Sequence, residues 1–170
     1  MSTPVLTFRW KYVVLPCLVL VLSLALAVGS YGRLPASVAY HFAGGAPDLW
    51  AGREAVLAVL LVPQFIGTMA AFAVAWAVIM LGRRYQGTDT RLVGRIVLVM
   101  GNMVGLPQLV LSLAMLDILG YNAYHVHVPF LGLALAVTAL GVVGLGIVLF
   151  GSVRGGVVRR PVGGISKEHK

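Results

Sequence analysis

The sequence predicts an all-α, polytopic membrane protein: a four-transmembrane-helix bundle with a structured loop between its first two helices. Three observations predict it. Of the 170 residues, 59% are hydrophobic and 11% are charged, whereas soluble domains average about 45–50% apolar and about 25% charged. Four apolar runs are long enough to cross about 30 Å of hydrocarbon. Lysine and arginine gather in alternate connections between those runs. Helices follow from the first two observations, because a helix satisfies its own backbone groups where no water can.

The first apolar run covers residues 12–31, after Arg9 and Lys11. Ala25-Leu26-Ala27 resembles a signal-peptide cleavage site, but the run exceeds a usual h-region and further spans follow. The second run is 55–81, the third 96–120 and the fourth 129–151, so residues 1–151 form a single membrane domain. A basic, glycine-rich tail, 152–170, is expected to be loosely ordered. Residues 82–95 read as a short basic linker, and 121–128 as a tight turn. Cys17 has no second cysteine to pair with.

Of the thirteen Lys and Arg residues, eleven fall before span one, between spans two and three, or after span four; Arg33 and Arg53 fall in the first loop. The positive-inside rule then places both termini in the cytoplasm and the first loop outside a cell membrane. In a soluble protein the net charge of +8 would suggest nucleic acid. Here topology accounts for it, so the expected partner is the bilayer and no nucleic acid is expected.

Small residues four apart let helix backbones approach closely. They occur as Gly67, Ala71 and Ala75 in span two, Gly101 and Gly105 in span three, and Gly132 and Ala136 in span four. Pro63-Gln64 and Pro107-Gln108 form matching steps in spans two and three. Each glutamine is expected to cap a carbonyl that its proline deprives of a donor. Gln64 reads as lying in the outer half and Gln108 near the middle, so the two need not meet. With Asn102 and Asp117 they form a candidate intramembrane polar path, on which Gln108, Ser112 and Asp117 are expected to share one flank.

The first loop, 32–54, is the only long stretch that is neither lipid-like nor simply basic. Pro35 forces an extended exit after Leu34. Residues 37–42, SVAYHF, alternate as a short strand, and Gly44-Gly45 before Pro47 marks a turn. Asp48 is placed to cap the second helix, with Leu49 opening it. Trp50 suits head-group depth, and Arg53 and Glu54 are the last charges before the hydrocarbon. The loop is expected to fold as a lid over the mouth of the bundle, with His41 hydrogen-bonded to Asp48 or to a carbonyl.

Leu34-Pro35, a five-residue spacer, His41-Phe42 and then Gly45-x-Pro47-Asp48-x-Trp50-x-x-Arg53 resemble the signature of the domain of unknown function 1648. That family includes SdpI-type immunity proteins, which protect against a membrane-acting peptide toxin and also act as toxin receptors that sequester a repressor. The resemblance implies a loop after a first membrane helix, and ligand contacts among these nine motif residues. Ala39 and Ala43 stand where the signature has Pro and Asn, Arg53 stands for Lys, and the chain is shorter than the full immunity proteins.

No serine triad, zinc-protease helix, phosphate loop or dinucleotide fingerprint is present, so no enzyme is expected. His41, His125, His127, Asp48 and Asp117 are donor types that suit divalent metals. His-x-His fits no standard zinc spacing, and no metal or cofactor is expected. The expected function is binding: an integral membrane interaction protein that meets a membrane-active peptide or a partner membrane protein, in immunity or sensing. The alternatives are a small transporter or ion-binding protein, or an accessory subunit of a larger complex.

Overall fold

The computed structural model describes residues 7–84, 90–126 and 131–157, with a few side chains in the helices outside that description. A 3-10 turn, Trp10–Tyr12, leads into α1, Val14–Tyr31. A β-hairpin follows, with β1 at Ser37–Ala43 and β2 at Ala46–Gly52. Helix α2, Arg53–Arg84, is followed by α3, Thr90–Met103, α4, Gly105–Tyr124, and α5, Leu131–Val157.

Val14–Tyr31, Arg53–Arg84 and the run Leu92–Tyr124 are long and apolar enough to cross a membrane. Helix α5 holds a shorter apolar stretch, Ala134–Ile147, among its described residues. The outward faces are aliphatic: Val28, Val59, Leu140 and Ile147 are each more than 60% exposed. Ser23, Gln64, Thr68, Asn102 and Gln108 are buried. An apolar exterior around a polar interior suits lipid as the solvent.

Three layers stack along the bundle. At the hairpin end, Ala27, Leu34, Val38, Val56, Leu57, Leu60, Met115 and Leu119 form one apolar cluster. At the far end, Tyr12, Val13, Ala71, Ala75, Ile79, Val93 and Val97 form another. The polar residues of α1, α2 and α4 lie between them.

The expected third span is two helices. Val104 interrupts the run, because Pro107 has no N–H for the carbonyl four residues back and Gly105 weakens the helix locally. Other boundaries move as well. Residues 82–84 of the expected linker belong to α2 and 90–95 to α3, while 85–89 lie outside the described residues; α5 runs through residue 157 into the expected tail. Helix α4 continues through Tyr124, replacing half of the expected turn.

The small-residue rows divide. Ala71 and Ala75 are fully buried, as close packing requires. A Cβ on Gly101 would collide with the Tyr12 backbone, and one on Gly105 would meet Leu15 and Pro16. By contrast, Gly132 faces open space among the described residues and Ala136 is exposed. Helix α5 packs instead through Ala134 and through Gly141, whose Cβ would strike Leu106.

Candidate binding site

The loop between α1 and α2 is a two-stranded antiparallel sheet. Its turn, Gly44-Gly45, has φ of +60° and +82°. Two consecutive left-handed residues make the tight turn whose twist matches a hairpin, and glycine adopts them without strain. Asp48 lies inside β2 and caps nothing; α2 begins five residues later, at Arg53. The second strand escaped the sequence reading because Pro47, Asp48 and Gly52 are poor strand formers. Pairing with β1 overrides that preference, with Pro47 on an edge strand where a missing N–H is tolerated.

Pairing runs from Ser37 opposite Gly52 to Ala43 opposite Ala46, with irregularities on either side of His41 opposite Leu49. They leave Tyr40 and Asp48 without directly opposed partners in the register. Such bulges re-aim side chains. His41 Nδ1 donates to Asp48 Oδ1 over 2.7 Å, and both side chains are substantially exposed. Leu49 and Trp50 add exposed apolar surface beside them.

Most of the other motif residues are engaged within the fold. Leu34 is buried in the hairpin-end cluster. Phe42 meets Tyr121 edge to face, with centroids 4.8 Å apart. Gly45 forms the turn and half-buried Pro47 pairs with Phe42, while Pro35 is exposed. Arg53 opens α2, its guanidinium 4.6 Å over the Tyr31 ring and its Nε donating to Glu54 Oε1 at 2.9 Å.

Asn122 fixes the hairpin to α4. Its Oδ1 accepts from the Ala39 N–H at 2.9 Å, and its Nδ2 donates to the Ala39 carbonyl at 2.8 Å and to Ile118 O at 2.8 Å. One side-chain amide thus stands in for a neighbouring strand on the free edge of β1. The sequence reading missed it; the available signal was an amide at the end of an apolar helix, which must find partners. Asn102 does the same work at the far end. It accepts from the Leu15 N–H at 2.9 Å and donates to Lys11 O and Leu98 O. An otherwise unpaired donor in the first turn of α1 is thereby satisfied.

The proposed polar path does not survive as one path. Gln64 and Gln108 meet: Gln108 Nε2 donates to Gln64 O and to Thr68 Oγ1. Antiparallel packing brings Thr68, one turn deeper than Gln64, level with Gln108. The expected proline capping is absent too. Gln64 Nε2 donates to Leu60 O, whereas Pro63 frees the carbonyl of Val59. Ser112 lies 3.3 Å from Gln64 Oε1 and shares a 2.8 Å hydrogen bond with Ser23, which ties in α1. Gln108 Oε1 is buried without a hydrogen-bond donor among the described residues. Asn102 sits across the Val104 break, at the start of α1. Asp117 is half-buried and not on the flank of Gln108: nine residues at about 100° each bring it to the opposite side of α4.

Among the described residues no three His, Cys, Asp or Glu side chains gather to hold a metal. His125 ends α4 in a left-handed conformation beside Tyr121, and His127 lies outside the described residues. Beneath the hairpin is an apolar cleft of about 340 Å³. Tyr40 and Ala51 form its hairpin wall; Ala55, Val56, Val59 and Leu60 of α2 and Ile118 of α4 complete it.

No curated protein and no solved structure matches the chain. Residues 18–63 match the family described as Domain of unknown function (DUF1648). That span runs from α1 through the whole hairpin to Pro63 of α2, so the hairpin, its wall of the cleft and the Arg53–Glu54 pair lie within the segment that is similar to that family.

Proposed function

We propose that this is a four-span cell-membrane protein with cytoplasmic termini, whose external hairpin receives a membrane-active peptide in immunity or sensing. The observation that carries the reading is the amphipathic surface. The hairpin carries an exposed His41–Asp48 pair and an exposed Trp50, and its Tyr40 and Ala51 wall an apolar cleft. A peptide held at a membrane interface presents the matching pair of faces, one polar and one apolar. The eleven-to-two split of basic residues supports the orientation. The ligand class is taken from the SdpI-type immunity proteins that the resembled family includes.

The test is survival of cells expressing the chain when challenged with membrane-active peptides. The parent is expected to protect, and His41→Ala, Asp48→Ala and Trp50→Ala to protect less. The His41–Asp48 pair is exposed, so removing either partner is expected to change stability by less than about 1 kcal/mol. Lost protection with unchanged protein levels therefore reports lost contact. No protection by the parent against any peptide would remove the immunity reading.

A second reading, a small transporter or ion-binding protein, is favoured by one observation: the unpaired Gln108 Oε1 in the Gln64–Thr68–Ser112 layer. Solute flux through reconstituted protein checks it. Gln108→Leu is expected to abolish such flux, and the absence of flux in the parent eliminates the reading.

A further inference from the structure

Between α1 and α2, on the hairpin half of the bundle, runs a second apolar groove of about 350 Å³. Leu24, Ala27, Val28 and Tyr31 line it from α1, and Leu57 and Leu61 from α2. From Tyr31 to Leu24 it extends along α1 for about 10 Å, at 1.5 Å per residue. Its mouth is charged. The Arg53 guanidinium covers the Tyr31 ring, and Glu54 Oε1 accepts both the Arg53 Nε–H and, at 3.1 Å, the Tyr31 hydroxyl. Both charges remain reachable: the Arg53 and Glu54 side chains are 35% and 68% exposed.

We propose that this groove is a binding site for a phospholipid with a primary-ammonium zwitterionic head group, of the phosphatidylethanolamine type. One acyl chain lies in the groove, the phosphate meets Arg53 and the ammonium meets Glu54. The charges select the head group. Guanidinium binds phosphate through paired N–H donors, and a carboxylate accepts the N–H groups of an ammonium. A guanidinium and a carboxylate on adjacent residues match a phosphate and an ammonium separated by two carbons. An anionic lipid with a glycerol head would bring Glu54 no ammonium and would set a net negative charge beside its carboxylate. A choline head has no N–H to donate, and Arg53 already covers the Tyr31 ring that would attract it. The inference needs only that the chain sits in a bilayer. It is independent of the peptide and transport readings and of the leaflet that faces the hairpin.

The test is native mass spectrometry of the full chain, taken from nanodiscs holding equal parts phosphatidylethanolamine, phosphatidylcholine and phosphatidylglycerol with identical acyl chains. One phosphatidylethanolamine is expected to be retained about threefold over either competitor, the size of effect one exposed ion pair supplies. Glu54→Gln is expected to erase the preference over phosphatidylglycerol, and Arg53→Gln to lower retention of all three lipids. Val28→Trp changes a residue that is 77% exposed, so it fills the groove without entering the core; it is expected to remove the adduct. Equal retention of the three lipids by the parent, or an unchanged preference in Glu54→Gln, would overturn the proposal.

Discussion

Replacing Gly101 with alanine is expected to destabilise the bundle by about 3 kcal/mol, at the upper end of the usual cost of overpacking. The new Cβ would fall inside the contact radius of the Tyr12 carbonyl oxygen. That atom is backbone, so no rotamer change relieves the overlap. Nor can the segment withdraw easily. Asn102 holds it through Lys11 O and Leu15 N, and Tyr12 and Val13 are buried in the far-end cluster. Gly105→Ala is expected to cost less, about 1–2 kcal/mol, because its closest obstacle is the Leu15 side chain, which can rotate. Gly132→Ala meets nothing within 4 Å and is expected to be neutral or slightly stabilising, as alanine is the better helix former. Thermal unfolding of the three variants in one detergent checks the order. Equal shifts would refute the close crossing of α1 over the Gly101–Gly105 surface.

Asn122→Leu is expected to release the hairpin from α4 while leaving the bundle assembled. Ala39 is 1% exposed, so its N–H and carbonyl lose their side-chain partner where water cannot readily replace it. An unsatisfied buried backbone group costs about 1–3 kcal/mol, and two are created. Hydrogen exchange should therefore accelerate across residues 37–52 by about a hundredfold or more, with little change in α2. Asn102→Leu should accelerate exchange around residues 11–15 instead and leave the hairpin protected. Unchanged exchange in the hairpin of Asn122→Leu would show that cross-strand pairing and the Phe42–Tyr121 contact hold it unaided. Under the proposed peptide reading, detachment would also weaken protection without altering any exposed hairpin side chain, which separates seating of the hairpin from contact by it.

Features that depend on composition and short spacing were legible in the sequence. The apolar runs, the SVAYHF strand, the Gly44-Gly45 turn and the Ala71–Ala75 row each follow from the residue types within a few positions. Features that depend on partners distant in sequence were not. Strand β2 forms from unpromising residues because β1 is beside it. Gln108 reaches both Gln64 O and Thr68 because α2 and α4 pack antiparallel in one particular register. Asp117 was separable from Gln108 by angle alone, since nine residues carry a side chain to the far side of a helix. Asn122 and Asn102 find their partners 83 and 91 residues away. Of the motif, the strand–turn geometry was readable. Which residues remain exposed became clear only when Leu34 was placed in the core and Phe42 against Tyr121.

The Asn122 clamp also sets an order of events during synthesis. Both strands leave the ribosome long before α4 does, so the nascent hairpin carries an unfinished edge at Ala39 through the making of α2 and α3. A two-stranded hairpin is only marginally stable by itself. A chain halted after α2 would contain the whole segment that matches the family, residues 18–63, yet lack the side chain that closes its sheet. The end of the family match at Pro63 is therefore not a folding boundary: the edge of β1 closes only when α4, which lies beyond the match, arrives beside it.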